Sequence, residues 1–588
     1  TQGIDIKIDN FDDEKVYEIF QNAETIGIFQ FESAGMRRFL KELKPTWLED
    51  LVAANALYRP GPMSQIPKFV EGKHNPESIT YLHPSLEPIL DVTYGCIVYQ
   101  EQVIRILQDI GGFSAARADN VRRAISKKKM DVMEAERQVF LYGSQEGDTH
   151  IRGAIKNGLD VDAANRIYDL MIDFANYAFN KSHSAAYAVV AYETAVLKVH
   201  YPVEFMASLI TSVMDRTSEV AFYIKEAERL GIEVLPPDVK ESLENFTVKE
   251  GKILFGLKAV KNVGLGVIQA IINSRKKKIP TTLYDFLKGI YNEDRTALNK
   301  RAIESLIRAG ALDSIGKRRS QLMGVFEMII ESIQNAGRRN VDGQASLFDE
   351  TTSFEEKYPN TNEFPTKMLL EMEKETLGIY ISGHPLDPYR EAYDSISQYS
   401  TIDLKNLSEE AENEEMLEDT IGLKDGQYIT IAGIVVASRI TTTKTNKQMA
   451  FIKIEDYYGE IEIIVFPNQY QRYSDLVRED MAISVFGKIN LSEVDDAKII
   501  AEEIKVLPSE KEIEAKREQK TLFLKFKNKN VNFYDVRRFI DNRKGDVEVV
   551  LYFEEEKEGV KYQNKINASN DVVQELVEKL GMGNVILQ

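Results

Sequence analysis

Residues 179–188 read FNKSHSAAYA. An amide, an ammonium, two hydroxyls and an imidazole occupy Asn180 to Ser184, and the small residues Ala185, Ala186 and Ala188 follow at once. Polar side chains ahead of a small-residue run mark a helix start, where unpaired backbone N–H groups attract an anion or a capping oxygen. Two readings are open. In one, Lys181 neutralises a phosphate while Asn180, Ser182 and His183 donate to a sugar or base. In the other, Ser182 or Ser184 caps the helix and His183 is a satisfied, part-buried ring. In both, the alanines let a neighbouring helix or a ligand come close.

Outward from this stretch the helical period continues. Apolar residues recur at three and four spacing in Val103, Ile106, Leu107 and Ile110, and again in Ala163, Ile167, Leu170 and Met171. Proline breaks at 59–62, 83–84 and 201–202 punctuate the pattern, and two short runs, 26–31 and 95–99, read as strands. One mainly α domain is expected over residues 1–235. The composition changes near Val234, and a second helical domain is expected over 236–420, with a helix at 367–377, a polar exposed loop at 337–353 and an acidic linker at 409–418.

Residues 427–507 alternate apolar and polar through five runs, which predicts a small Greek-key barrel. After a charged helix at 510–520, the chain reads strand 521–526, helix 532–542, strands 546–553 and 560–566, helix 569–580 and strand 584–588. That βαββαβ order predicts a small α+β domain of the split type over 520–588.

The bulk properties set limits. A chain of 588 residues exceeds what one core organises, and 43% hydrophobic with 28% charged residues is a globular composition. No apolar run suits a membrane span, and the single cysteine, Cys96, excludes an intrachain disulfide and a thiolate zinc cage. A soluble, cytoplasmic protein with no membrane partner is expected. The first residues, TQGIDIKIDN, read like the interior of a longer polypeptide.

A net charge of −19 argues against a polyanionic partner, but binding depends on local patches. Between Arg117 and Lys129 six basic residues, Arg122, Arg123 and Lys127 among them, stand against one acid, Asp119. Arginine forks and lysine point charges suit phosphate oxygens, although a solvated helix face gives the same pattern. Arg59 sits beside a rigid turn made by Pro60, Gly61 and Pro62. Gly264 and Gly266 fit a helix-hairpin-helix whose backbone approaches a phosphate, with Arg275, Lys276, Lys277 and Lys278 following and a looser copy at 306–312. In the polar loop, Gln344 leads an isolated apolar pair, Leu347 and Phe348, which suits a hydrophobic pocket on a partner or on its own domain.

Taken in order, GIFQFESAGM (27–36), LVAANALYRPGP (51–62), TYGCIVYQEQV (93–103), RRAISKKKMD (122–131), FNKSHSAAYA, the glycine hairpin at 263–267 and ETLGIYISGHPLDPY (375–389) resemble the α-subunit family of bacterial DNA polymerase III, of the DnaE type. The resemblance implies a multidomain chain. A fingers domain (1–235) is followed by a tandem helix-hairpin-helix domain (236–420) with a clamp-binding loop near 344–348. An OB-fold barrel (427–507) and a C-terminal α+β domain (520–588) complete it.

It further implies a DNA-directed DNA polymerase whose Mg²⁺-holding palm aspartates lie upstream of Thr1, so that no metal ligand and no catalytic carboxylate falls within this segment. Asp5 and Asp9 match the family's variable acidic lead-in, and Asp12 and Asp13 its helix start, so a cap is the reading there. By motif, Arg59, Arg122, Arg123, Lys127, Asn180, Lys181 and His183 surround an incoming deoxynucleoside triphosphate, with the His183 ring against the sugar. Gly264, Gly266, Arg275, Lys276 and Lys277 hold primer-template DNA. Gln344, Leu347 and Phe348 match the family's sliding-clamp motif. Arg439, Lys444, Lys447 and Phe451 suggest contact with single-stranded template. The last 70 residues depart most from the family pattern, which leaves a clamp-loader τ partner open. Two other readings are a non-enzymatic nucleic-acid scaffold and an accessory, error-prone member of the same family.

Overall fold

In the computed structural model the first helices, except the third, which is buried on every side from Asp50 to Leu57, are amphipathic, as apolar spacing of three and four dictates. They are α1 (Glu14–Gln21), α2 (Ala34–Leu43), α3 (Leu48–Leu57) and α4 (Ile66–His74). A one-turn α5 (Glu87–Leu90) precedes α6 (Gln100–Asp109), α7 (Ala115–Ser126), α8 (Met130–Tyr142) and α9 (Val161–Ala175). The small-residue run becomes α10 (Lys181–His200), and α11 (Pro202–Ser212) and α12 (Thr217–Arg229) follow. The structure describes residues 6, 8, 10–59, 61–127, 129–145, 150–175, 179–341, 356–405, 423–491, 497–513, 521–531 and 533–588. They fall into two units, residues 1–384 with 405–423 and residues 385–404 with 424–588.

Three cores fill the first unit. In the first, α10 lies against α3, which is buried from Asp50 to Leu57. The contact stripe on α10 is Ser184, Ala188, Ala191 and Ala195, all fully buried, and the Ser184 hydroxyl donates to the Val52 carbonyl. Side chains this short let the two helix backbones approach closely. Asp13 caps α1 as its sequence position suggests, accepting from the Lys15 N–H at 3.0 Å. Cys96 is buried in this core, and burial pushes its thiol pKa up. The second core gathers α6 to α9.

Neither short strand expected here forms. Residues 26–31 are consecutive turns, with Ile28 and Phe31 fully buried and the Thr25 hydroxyl donating to the Phe31 carbonyl at 2.6 Å. In 95–99 the N–H groups of Val98 and Tyr99 are taken by the buried Gln102 side chain at 2.8 and 2.9 Å, which leaves only a single bridge from Tyr99 to Phe179. Apolar alternation came from burial, and side chains satisfied the backbone in place of a sheet.

The third core begins at Met206 in α11 and runs to Ile379, across the composition change at 235. It packs α11 and α12 with a small sheet, β1 (Val234–Leu235), β2 (Thr247–Lys249) and β3 (Lys252–Leu254), in the order β1-β3-β2. Helices α13 (Leu265–Lys277), α14 (Leu283–Glu293), α15 (Lys300–Arg308), α16 (Arg319–Val341) and α17 (Thr366–Leu377) complete it. α16 continues to Val341, so the residues 337–341 expected as loop are helical, while the rest of that stretch lies outside the described residues.

Two buried ion networks lock the unit. Lys198 on α10, 5% exposed, donates to the carbonyls of Glu24 and Ile26 at 2.8 Å and to Glu226 on α12 at 2.9 Å, and burial lowers its pKa. Arg319 donates to Glu373 at 3.1 Å, whose other oxygen accepts from the N–H groups of Ile381 and Ser382.

In the second unit α18 (Arg390–Ile396) packs on a closed barrel of β4 (Tyr428–Thr442), β5 (Gln448–Glu455), β6 (Glu460–Val465), β7 (Ala482–Asn490) and β8 (Lys498–Val506), ordered β4-β5-β6-β8-β7. All five strand runs read from the sequence are strands. A short α19 (Pro467–Tyr473), unread in the sequence, joins β6 to β7. At Gly487 the strand bulges, and a Cβ there would collide with the Ile500 carbonyl.

Asp456, 1% exposed, accepts from the N–H groups of Thr401, Tyr458 and Gly459 and from the hydroxyls of Thr401 and Tyr393, at 2.5–3.1 Å. It thereby pins the 393–401 segment to the barrel.

The end of the chain forms β9 (Thr521–Phe526), α20 (Tyr534–Asp541), β10 (Lys544–Phe553), β11 (Glu558–Lys561), α21 (Asn570–Leu580) and β12 (Val585–Leu587). The element order is the expected one, but the sheet runs β11-β10-β9-β12 with β9 and β10 parallel and adjacent. No strand separates that parallel pair, so the crossover is not split; periodicity fixes the elements and leaves their pairing open. Among the described residues no helix is long and apolar enough to cross a membrane.

Removing one partner of a buried pair leaves an uncompensated charge. Glu226→Ala is expected to lower stability by about 3 kcal/mol in a guanidinium titration, and adding Lys198→Met to restore most of it. Asp456→Ala is expected to cost at least about 3 kcal/mol in the barrel unit, because several buried donors lose their acceptor together. A loss below about 1 kcal/mol would contradict that role.

Candidate nucleotide-binding site

The cap of α10 is Asn180, not Ser182 or Ser184. Its extended backbone (φ −78°, ψ 121°) places Oδ1 to accept from the His183 N–H at 3.0 Å and from the Ser182 hydroxyl. Ser184 faces α3. The first amide of the helix, Lys181 N–H, donates to the Glu101 carboxylate at 3.0 Å, so the positive end of the helix dipole already holds an anion from its own chain. The Lys181 ammonium lies 3.0 Å from Glu49 and 5.3 Å from the centre of the Tyr99 ring.

Phe179 organises the rest. The Arg59 guanidinium, carried just past the end of α3, stacks on its ring at 4.1 Å. The His183 ring meets Phe179 edge-on at 5.5 Å and Tyr187 at 4.4 Å, and Tyr187 in turn meets Phe29 at 5.1 Å. The Gln100 N–H donates to the Phe179 carbonyl at 2.9 Å, and the Gln100 side chain accepts from Arg122 at 2.9 Å.

Arg122 also binds Asp119 at 2.7 Å, and Arg123 reaches the other oxygen of the same carboxylate at 2.8 Å. Bonds from Arg122, reinforced by the charges of both arginines, hold the Asp119 pKa below the ordinary carboxylate range. With a lowered pKa the pairing is complete above that range and is lost only as pH falls through the lowered value, so it persists at neutral pH.

Arg59, Arg122, Arg123, Asn180, Lys181 and His183 are thus linked in one cluster. Lys127 is exposed one residue past α7, where its backbone N–H donates to the Arg123 carbonyl at 3.1 Å; among the described residues no side-chain contact joins it to the cluster. Sequence reasoning missed Glu49, which pairs with Lys181, and Tyr187, which fixes the imidazole from the next helical turn; it named Asp119 as the one acid of the basic run without foreseeing that both arginines share it, and it did not foresee Glu101 on the first amide of α10. Only its spacing of four from His183 signalled Tyr187.

In the second helical region, Gly264 caps α13 and Gly266 lies in its first turn, both open to solvent. Arg275 turns inward and donates to the Val239 carbonyl at 3.0 Å, while Lys277 pairs with Glu293 at 2.6 Å and Lys276 is exposed. The glycines and the basic run stand about 15 Å apart along the helix, so they cannot share one phosphate. Residues 306–312 are the end of α15 and its turn, with Gly310 left-handed at φ +78°.

On the barrel, Arg439 and Phe451 are cross-strand partners with the guanidinium 5.1 Å above the ring, and Lys444 and Lys447 are exposed on the β4–β5 turn. Tyr428 and Phe486 form an exposed stacked pair at 5.6 Å, unread because it depends on the β4–β7 register. Gln344, Leu347 and Phe348 lie outside the described residues.

Asp119→Asn removes the carboxylate that Arg122 and Arg123 share. Calorimetry with inorganic tripolyphosphate is expected to show roughly twofold to fivefold tighter binding, and unchanged affinity would mean that Asp119 does not compete with phosphate.

Comparison with known proteins finds three matching regions. The finger domain of the bacterial DNA polymerase III alpha subunit matches residues 1–148, a helix-hairpin-helix motif 231–322 and an OB-fold nucleic acid binding domain 429–507. DNA polymerase III subunit alpha of Bacillus subtilis is 37% identical, over 100% of this chain and 50% of that protein. The protein of the same name from Borreliella burgdorferi is 38% identical over 85% of this chain and 42% of its own length, and that of Escherichia coli 36% over 83% and 41%. The chain spans about half the length of the curated relatives it matches. It belongs to the bacterial DNA polymerase III α-subunit family, as a segment that carries the finger domain, a helix-hairpin-helix region and an OB-fold barrel.

Proposed function

We propose that this chain is the part of a bacterial replicative DNA polymerase that holds the incoming deoxynucleoside triphosphate and the primer-template DNA. The observation that carries this reading is the meeting of Arg59, Arg122, Lys181 and His183 around Phe179, from two separate helices and the turn after α3. Each cation except Arg59 is paired with a carboxylate, so a triphosphate binds by exchange. Its oxygens displace Glu49 from Lys181 and Asp119 from Arg122 and Arg123, and the released carboxylates return to water. The cost of desolvating bare cations is thereby avoided. His183, held between two aromatic rings, keeps one orientation and crowds a 2′-hydroxyl, which selects the deoxyribose.

Among the described residues no group of three or more His, Cys, Asp or Glu could hold a metal ion. The described residues do not fit the Mg²⁺ that the resemblance implies, Asp5 and Asp9 lie outside them, and its aspartate ligands are assigned to a part of the polymerase outside this chain. Lys276 and the open glycines at the start of α13 serve the duplex backbone, and Arg439, Phe451, Lys444 and Lys447 the single-stranded template. The sequence at Gln344, Leu347 and Phe348 addresses the sliding clamp, and the C-terminal α+β domain is the candidate site for the clamp-loader τ subunit. A cytoplasmic location follows from this role.

The test is single-nucleotide incorporation by the longer polypeptide that contains this segment. Lys181→Ala is expected to raise KM for the deoxynucleotide about tenfold. His183→Ala is expected to raise ribonucleotide use relative to deoxynucleotide about tenfold. Unchanged sugar discrimination together with an unchanged KM would overturn the assignment, as would primer extension by this chain without any other polymerase polypeptide.

A further inference from the structure

On the barrel, away from the Arg439–Phe451 pair, two aromatic rings stand in water. Tyr428, at the start of β4, is 53% exposed, and Phe486, on β7, is 41% exposed. Their ring centres lie 5.6 Å apart with 19° between the planes. The register explains the contact. Tyr428 is opposite Lys488 and Thr430 is opposite Phe486, so the two rings are diagonal neighbours on one surface. The residues flanking them along the strands, Ile429, Val485 and Gly487, are buried. Alternation therefore puts both rings on the outside of the barrel, with no core to enter.

Cations frame the rings. Lys488 is exposed directly across from Tyr428, and Lys424 is exposed on the turn that leads into β4. That turn is fastened to β7, since the Gly426 N–H donates to the Ile489 carbonyl at 2.9 Å and the Ile489 N–H to the Gln427 carbonyl at 2.8 Å. Gly426 is left-handed at φ +80°, and a Cβ there would come within 3.1 Å of Lys488 Cε, so the turn lies against the lysine stem. Among the described residues neither ammonium has a carboxylate partner. Nearby acids are engaged elsewhere. Asp425 accepts from the Leu491 N–H at 2.9 Å, and Glu503, opposite Phe486, pairs with Lys505 at 2.9 Å.

Flat apolar rings framed by free ammonium groups suit a ligand that alternates planar rings with anions. Single-stranded nucleic acid has that chemistry, because every base offers a face to stack on and every phosphate a charge for a lysine. A protein interface instead favours a centre depleted of charge, whereas here Lys488 stands beside the Tyr428 ring.

We propose that Tyr428 and Phe486, with Lys424 and Lys488, form a second stacking platform for single-stranded nucleic acid on the barrel. This rests on the template reading of Arg439 and Phe451 above. Arg439 lies eleven residues beyond Tyr428 on β4, at most roughly 36 Å along the strand, so the two platforms serve different nucleotides of one bound strand. OB folds hold roughly 4–16 nucleotides, and two platforms put this barrel toward the long end.

The experiment is fluorescence anisotropy of this chain with a labelled oligothymidylate of about 16 nucleotides, repeated over a range of salt concentrations. Tyr428→Ala and Phe486→Ala are each expected to weaken binding about tenfold, while Tyr428→Phe keeps the ring and stays within about twofold of wild type. Lys424→Gln with Lys488→Gln is expected to lower the slope of log affinity against log salt by about 1.4, the value for two phosphates of a single strand. That charge variant reads the platform without disturbing either ring. If Phe451→Ala weakens binding while both ring variants stay within about twofold of wild type, the proposal fails and the template reading of the barrel stands, as for a patch that docks protein. An unchanged salt slope in the double lysine variant equally overturns the proposal. A wild-type chain that binds no oligothymidylate overturns the template reading, and this platform with it.

Discussion

The contact between α3 and α10 is the constraint on which the first unit depends. Because the seam of α10 is Ser184, Ala188, Ala191 and Ala195, and α3 is buried on every side, the two backbones come close and cannot slide without opening a void. α3 ends directly before Arg59, and α10 starts with Lys181 and His183. The same packing that makes the core therefore sets the separation of the chemical groups, and Phe179 fills the space between them. Lys198, one turn beyond Ala195 at the far end of that seam, fastens α10 to the 24–26 turns and to α12, so the third core is tied to the first through one buried ammonium.

The electrostatics follow from the same economy. A strongly acidic chain concentrates cations at one place, and all but Arg59 are met by a carboxylate: Glu49 on α3 for Lys181, and Asp119, on the same helix, for Arg122 and Arg123, while Glu101 on α6 takes the first amide of α10. Such pairing keeps the cluster ordered, and any anion that entered it would have to outcompete acids already in position. The Asp119 carboxyl, depressed by its arginines, does not relinquish them by protonation near neutral pH.

Much of this was legible in the sequence, for identifiable reasons. The 3.6-residue period of apolar positions gave the helices, and alternation gave the five barrel strands, because both patterns follow from which face is buried. The motifs at 51–62, 122–131 and 179–188 gave the site's cations, since their chemistry is written in residue type. What depended on pairing was hidden. The runs 26–31 and 95–99 looked like strands, yet Thr25 and Gln102 side chains satisfy their backbones. The β9–β10 adjacency, the Tyr428–Phe486 stack and the inward turn of Arg275 toward Val239 all rest on partners distant in the chain. Glu49 and Glu101 were hidden for the same reason: acids are frequent in this chain, and only the fold shows which ones face Lys181, whereas Asp119 stands three and four residues before its arginines.

The one sulfhydryl of the chain is sealed inside the first core, and burial keeps it in the protonated, unreactive form. Maleimide or iodoacetamide chemistry therefore starts from a silent background. A cysteine engineered onto a solvent-facing turn becomes the sole handle for a fluorophore or spin label, with no native residue to remove first.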